Sequence, residues 1–139
     1  MAQENVERIK ALYEAFARGD IGAVVGLLDA QIVWNEAENL RYADGNPYVG
    51  PQAVLAGVFG RIGAEWDGFS ATPDELLGSG DKVVSLGRYR GTCKATSKRA
   101  DAQFVHVFQL RDGKVVRFQQ YTDTAQFRDV MGGASAAKA

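Results

Sequence analysis

The stretch that decides the fold runs from residue 102 to residue 124, AQFVHVFQLRDGKVVRFQQYTDT. Two alternating runs flank Arg111-Asp112-Gly113-Lys114, and Asp-Gly between such runs signals a two-residue hairpin turn. In that turn Arg111 pairs with Lys114. Counting back from the pair puts His106 opposite Gln119 and Phe104 opposite Tyr121. One face then carries Phe104, His106, Phe108, Gln119 and Tyr121, and Asp123 extends it if the strand lasts. The other carries Val105, Val107, Gln109, Val116, Phe118 and Gln120.

The first face mixes His, Gln and Tyr with Phe. Buried polar groups need partners, so these side chains must bond each other, water or a ligand. The second face is apolar, and Val105, Val107, Val116 and Phe118 suit a sheet-to-sheet contact with a second copy of the chain. A solvent-facing sheet with a few scattered apolar residues is the alternative.

Upstream, Val6, Ile9, Tyr13 and Phe16 recur at helical spacing. Gly19 ends that helix, and Asp20 caps a second, shorter one. Residues 31–36 alternate as a strand, with Trp34 and Glu36 on one face. A turn-rich stretch leads to Gly50-Pro51, which opens a third helix. Gly57, Gly60 and Gly63 weaken it, so either a close backbone contact uses them or the helix is mobile. Strands follow within 66–78, at 83–91 and through the hairpin, and a short helix is expected at 124–130. Cys93 falls in a polar stretch read as a hairpin tip. Residues 1–131 read as one domain and 132–139 as a flexible tail. Helices first and antiparallel strands later indicate an α+β fold, with helices laid on one face of a curved sheet.

With 139 residues, 46% of them hydrophobic, the chain can build one sizeable core. Sixteen basic residues against 17 acidic give a net charge of −1, which offers no general attraction to nucleic acid or to an anionic membrane. One cysteine precludes an intramolecular disulfide and a cysteine zinc cluster; one histidine precludes a His-rich metal site. No apolar run reaches membrane-spanning length, and the N-terminus lacks the features of a signal peptide. The expectation is a soluble, cytoplasmic protein without a metal.

Several motifs together resemble the SnoaL-like and ketosteroid-isomerase-like branch of the nuclear-transport-factor-2-like superfamily. They are Tyr13, Phe16, Gly19 and Asp20; Val33-Trp34; Tyr48-Val49-Gly50-Pro51; Phe104 to Phe108; Arg111 to Val115; and Tyr121-Thr122-Asp123-Thr124. The resemblance spans about residues 4–130. It implies a cone-shaped α+β barrel, a curved antiparallel sheet around three helices, with a deep pocket and commonly a dimer through the outer sheet face. It also implies that no cofactor is needed. In SnoaL-like cyclases the acid/base residues are a carboxylate near the end of the last strand and a His on the strand before it. Asp123 and His106 match those places.

A carboxylate in an apolar pocket has a raised pKa and can take a proton next to a carbonyl. A neighbouring His or Tyr can then hydrogen-bond the enolate oxygen. Asp123 could equally cap the last helix, and His106 could be a core histidine bonded to Gln119. Glu36 beside Trp34 is a second candidate base, unless the strand ends first and leaves it solvated. The candidate catalytic set is therefore Asp123, His106, Glu36 and Tyr121. Trp34, Tyr48, Phe59, Trp66, Phe104, Phe108 and Gln119 are expected to line the pocket. Among the family's chemistries, the scytalone-dehydratase type needs more than one active-site His. The epoxide-hydrolase type needs an Asp-Arg-Asp set for which only Arg88, Asp101 and Asp123 are at hand. The ketosteroid-isomerase type needs a second acid with no clear match. The resulting expectation is a cofactor-free isomerase or cyclase acting on a small, mostly apolar carbonyl or polyketide-like compound. The alternatives are a binding protein of the same fold and a structural dimer module.

Overall fold

A computed structural model describes residues 2–132. The expected tail therefore lies, apart from Gly132, outside the described residues. Helix α1 (Ala2–Ala17) buries Ile9, Leu12 and Tyr13 on one stripe. Asp20 caps α2 (Ile21–Gly26) by accepting the Ala23 N–H at 3.1 Å, which satisfies a donor the helix leaves unpaired. Strand β1 (Leu28–Asn35) leads through a 3₁₀ turn (Arg41–Gly45) to the two-residue β2 (Tyr48–Val49).

The third helical segment is continuous from Pro51 to Glu65 but not uniform. It consists of α3 (Pro51–Val54), a π turn (Leu55–Phe59) and α4 (Gly60–Glu65). Gly57 in the π turn lies against the ring of Tyr48, where an added Cβ would fall 2.1 Å from Cε1. Of the two readings for these glycines, close contact is the one found at Gly57.

Four long strands complete the fold: β3 (Trp66–Ser79), β4 (Lys82–Cys93), β5 (Arg99–Arg111) and β6 (Lys114–Thr122), followed by α5 (Thr124–Val130). With β1 and β2 they form one six-stranded sheet in the order β2-β1-β6-β5-β4-β3. The α+β class is as the sequence indicated. Every pair is antiparallel except β1 with β6, which is parallel. Bulges in β3 and in the β5–β6 pair bend the sheet. At Gly87 the backbone of Thr72 comes so close that a Cβ would sit 2.2 Å from its carbonyl oxygen. Only glycine fits there without the strands separating. Cys93 is buried at the end of β4, not on a polar tip. No helix among the described residues is long and apolar enough to cross a membrane.

The hairpin corrects one expectation. Arg111 pairs with Lys114 and Leu110 with Val115, but Gln109 pairs with Arg117, so Val116 is an extra residue. Beyond it His106 faces Gln120, and Phe104 faces Thr122. Phe118 and Gln120 therefore point inward, while Tyr121 is 56% exposed on the outer face. Phe118 is not available to an outer contact, which leaves Val105, Val107 and Val116 on that side, all part-exposed.

Candidate active site

The concave side of the sheet and the helices enclose a narrow cavity of about 60 Å³. Most of its wall is apolar: Leu12 and Phe16 from α1, Val58 and Phe59 from the π turn, Phe108 and Phe118 from the sheet. The polar groups on the wall are few, and almost all are held by one another.

Glu36 is the exception. It lies one residue beyond β1 on the same side as Trp34, and it is 2% exposed. Its backbone is fixed by Asn46, which accepts the Glu36 N–H at 2.9 Å and donates to the Glu36 carbonyl at 2.8 Å. Trp34 Nε1 donates to Glu36 Oε2 at 2.8 Å. Glu36 lines the cavity, and the bond from Trp34 is the one hydrogen bond its carboxylate makes among the described residues. Burial pushes the carboxyl up to about 7, against the opposing pull of the Trp34 N–H and the Arg61 charge. At neutral pH such a group holds and releases a proton with little bias, as a general base must.

His106 lies at the centre of β5 between two tyrosines. Its Nδ1 meets the Tyr13 hydroxyl at 2.5 Å, and its Nε2 meets the Tyr89 hydroxyl. Tyr13 in turn bonds Ser85 Oγ, and Gln120 Nε2 donates to the Tyr89 oxygen at 2.7 Å. Burial lowers the imidazole to about 3, so it is neutral at ordinary pH. Phe104 stacks on the ring at 4.0 Å between centroids, which adds to the apolar surroundings. Burial likewise raises the Tyr13 and Tyr89 hydroxyls well above their ordinary range, and the Glu36 charge adds to this at Tyr89.

The remaining sequence candidates separate. Trp34, Phe59 and Phe108 line the cavity with Glu36 and His106. Tyr48, Trp66 and Phe104 are buried behind the wall, where Tyr48 donates to the Tyr42 carbonyl at 2.6 Å and Trp66 Nε1 to the Tyr42 hydroxyl at 3.0 Å. Gln119 and Tyr121 lie on the outer face because of the Val116 bulge. Asp123 is exposed and caps α5 by accepting the Gln126 N–H at 3.1 Å. Arg88 and Asp101 pair at the surface at 2.8 Å, with neither on the cavity wall.

Tyr13, Ser85 and Gln120 were not singled out as site residues. A signal existed for Tyr13, because a tyrosine on a helix's apolar stripe needs a buried partner for its hydroxyl. Ser85 and Gln120 gave none without the register. Among the described residues no three His, Cys, Asp or Glu side chains are grouped to hold a metal ion.

A family model for the SnoaL-like domain matches residues 9–118. The chain belongs to the SnoaL-like family. A nuclear-transport-factor-2-like protein from Burkholderia thailandensis is 32% identical; the match covers 91% of this chain and 96% of that one, with a TM-score of 0.86. TerC, crystallised with polyporic acid, is 26% identical over 92% of this SnoaL-like chain and 98% of its own, with a TM-score of 0.82. A candidate SnoaL-like polyketide cyclase from Jannaschia sp. CCS1 is 17% identical over 94% of each chain, with a TM-score of 0.78, a likeness of fold alone. No curated protein matches significantly.

Proposed function

We propose that this SnoaL-like protein is a cofactor-free proton-transfer enzyme, an isomerase or cyclase, acting on a small and mostly apolar carbonyl compound, with Glu36 as its general base. The observation that carries this reading is the Glu36 carboxyl. Trp34 holds one oxygen, the residue lines an apolar cavity, and burial raises the group to about 7. A base of that strength, held still and kept from bulk water, suits the removal of a proton next to a carbonyl. The polyporic acid with which the similar TerC was crystallised supports a carbonyl-bearing ligand. The cavity of about 60 Å³ favours a compact molecule, or the reactive end of a longer one.

Small ketones and 1,3-diketones incubated with the protein in D₂O provide the test. Loss of α-proton signal in the NMR spectrum is expected for at least one compound. Glu36→Gln is expected to slow it by roughly 10²- to 10⁴-fold, the usual contribution of a positioned acid or base. Exchange no faster than in buffer, for every compound, overturns the reading. A compound that binds and is recovered unchanged supports the second reading, a binding protein with the same cavity.

A further inference from the structure

The only histidine of the chain is buried between two phenols, and the mechanism above does not use it. The directions of its hydrogen bonds can be worked out from one fixed point. Ala37 N–H can only donate, and it donates to Gln120 Oε1 at 2.9 Å. The Gln120 amide is thereby oriented, and its Nε2 must donate to the Tyr89 oxygen. One proton on Tyr89 is left to place. It can go to His106 Nε2, or it can turn to the cavity that Tyr89 lines with Glu36.

A neutral imidazole has one N–H, so each choice settles the rest of the chain. In the first order, Tyr89 O–H donates to Nε2, Nδ1–H donates to Tyr13, and Tyr13 O–H donates to Ser85. In the second, Nε2–H donates to Tyr89, Tyr13 O–H donates to Nδ1, Ser85 O–H donates to Tyr13, and Tyr89 O–H turns to the cavity. Both orders contain the same number of protons. They differ in which imidazole nitrogen carries the hydrogen: in passing from the first to the second, Nδ1 gives its proton up to water, Nε2 takes one from water, and the hydroxyls rotate, so no proton is gained or lost. Each of these four contacts is a hydrogen bond in both.

We propose that His106 is the tautomeric switch of this chain, a positioning residue that turns the Tyr89 hydroxyl toward the cavity whenever negative charge stands there, so that Tyr89 donates to the oxygen of the bound carbonyl compound. The role assigned to Tyr89 rests on the proposed function; the switch itself does not. The physical reason is the charge–dipole interaction in a dry site, where little solvent screens it. An ionised Glu36, or the enolate that replaces its charge after proton transfer, attracts the hydrogen end of the Tyr89 O–H. A protonated Glu36 in an empty cavity leaves that hydrogen to His106. The donor is thus presented when the base is ready and stays presented while the substrate carries the charge.

The charged and titratable groups that bear on the switch are few. Tyr89 faces Glu36 from the end of β1, Tyr13 from α1 and His106 from β5. Glu36 feels Arg61 from α4, which is itself paired with Asp44 and close to Glu65. Of these, Glu36 is the group whose charge changes near neutral pH on the cavity side of Tyr89.

The experiment needs no ligand. Protein labelled with ¹⁵N in histidine gives the imidazole signals of His106 alone, and their pattern separates the two neutral tautomers and the cation. Between pH 5.5 and 9 the wild-type protein is expected to pass from the Nδ1–H to the Nε2–H form, with a midpoint near that of Glu36. Glu36→Gln and Tyr89→Phe are each expected to abolish the passage. A single unchanging tautomer in the wild type overturns the proposal. So does a passage that survives either substitution, or a His106 that becomes a cation in this range. For a ketone that exchanges, Tyr89→Phe is expected to lower kcat by about 10²-fold with little change in KM, as for loss of one donor to a developing oxyanion. An unchanged kcat removes Tyr89 as the donor. Failure of Glu36→Gln to affect exchange refutes the base and leaves the tautomer result to be judged on its own spectrum.

Discussion

Trp34 Nε1 donates to Glu36 Oε2 at 2.8 Å, from near the end of β1 to the residue just beyond it. The alternation of the strand puts both side chains on one face, and the indole ring is held by stacking on Phe118 at 3.7 Å between centroids. The donor is therefore placed before the carboxylate needs it. Trp34→Phe keeps the stacking and removes the N–H. A hydrogen bond to a charged group contributes about 1.5–3 kcal/mol, so the Glu36 midpoint should rise by about one pH unit or more. A pH profile of α-proton exchange, or an NMR titration of the carboxyl, checks this. An unmoved midpoint would show that Trp34 does not tune the base.

Stability should carry the mark of the same carboxyl. Its folded value of about 7 lies above the ordinary 4.5, so between these pH values the folded state binds more protons than the unfolded one. Its contribution is fully present below pH 4.5 and is lost as pH rises through 7. The loss amounts to roughly 3 kcal/mol. Glu36→Gln has no such loss. Relative to its own value at pH 4.5, the variant should gain on the wild type by about that amount at pH 8, read from urea midpoints.

His106 has the opposite sign. Its folded value of about 3 lies below the ordinary 6.5, so its contribution is present above pH 6.5 and is lost as pH falls. In the wild type this acid-side loss partly cancels the Glu36 term between pH 6.5 and 4.5. In Glu36→Gln the cancellation is gone, and stability should fall by about 1.4 kcal/mol per pH unit below 6.5. A flat profile there would mean that His106 is protonated within the fold.

The helices and strands were legible because their signals are local. Asp20 before α2, Asp112-Gly113 at the hairpin and Pro51 at a helix start act through neighbouring backbone. Glu36 was legible only in part, because alternation puts it beside Trp34 if the strand reaches residue 36, whereas β1 ends at Asn35 and the Asn46 side chain holds the Glu36 backbone. Gln119, Gln120 and Tyr121 were not legible. Their side depends on whether β6 carries an extra residue, and Val115-Val116 contains nothing that marks one of them as unpaired. Asp123 was ambiguous because a cap and a catalytic acid have the same composition. The hydrogen bonds around His106 join α1, β4, β5 and β6, so no local window contains them.

The corrected register has its own mutational test. Phe118 is 2% exposed and stacks on Trp34, so Phe118→Ala should cost about 3–5 kcal/mol of stability. Tyr121 is 56% exposed, and Tyr121→Ala in a monomer should change stability by no more than about 0.5 kcal/mol. The regular register predicts the reverse ranking. Chemical denaturation of both variants decides.

The outer face supplies one further prediction. Tyr121, Leu86 and Val105 lie around a shallow groove there, with Val107 and Val116 on the same side of the sheet. We propose this face as the contact with a second copy. Light scattering is expected to give the mass of a dimer for the wild type and of a monomer for Val107→Asp. A monomeric wild type at micromolar concentration would refute the contact.

The Val116 bulge has a consequence for how such a chain can change length. In a regular hairpin, losing one residue from a strand turns every later side chain over, exchanging the wall of the cavity for the surface. Here β6 already holds one residue that β5 does not pair. Its removal would leave Leu110 opposite Val115 and Gln109 opposite Arg117 as they are, and Phe118 and Gln120 would still face inward. The strand carries slack of one residue, placed between the turn and the wall, so the loop and the pocket can vary in length without each dictating the other.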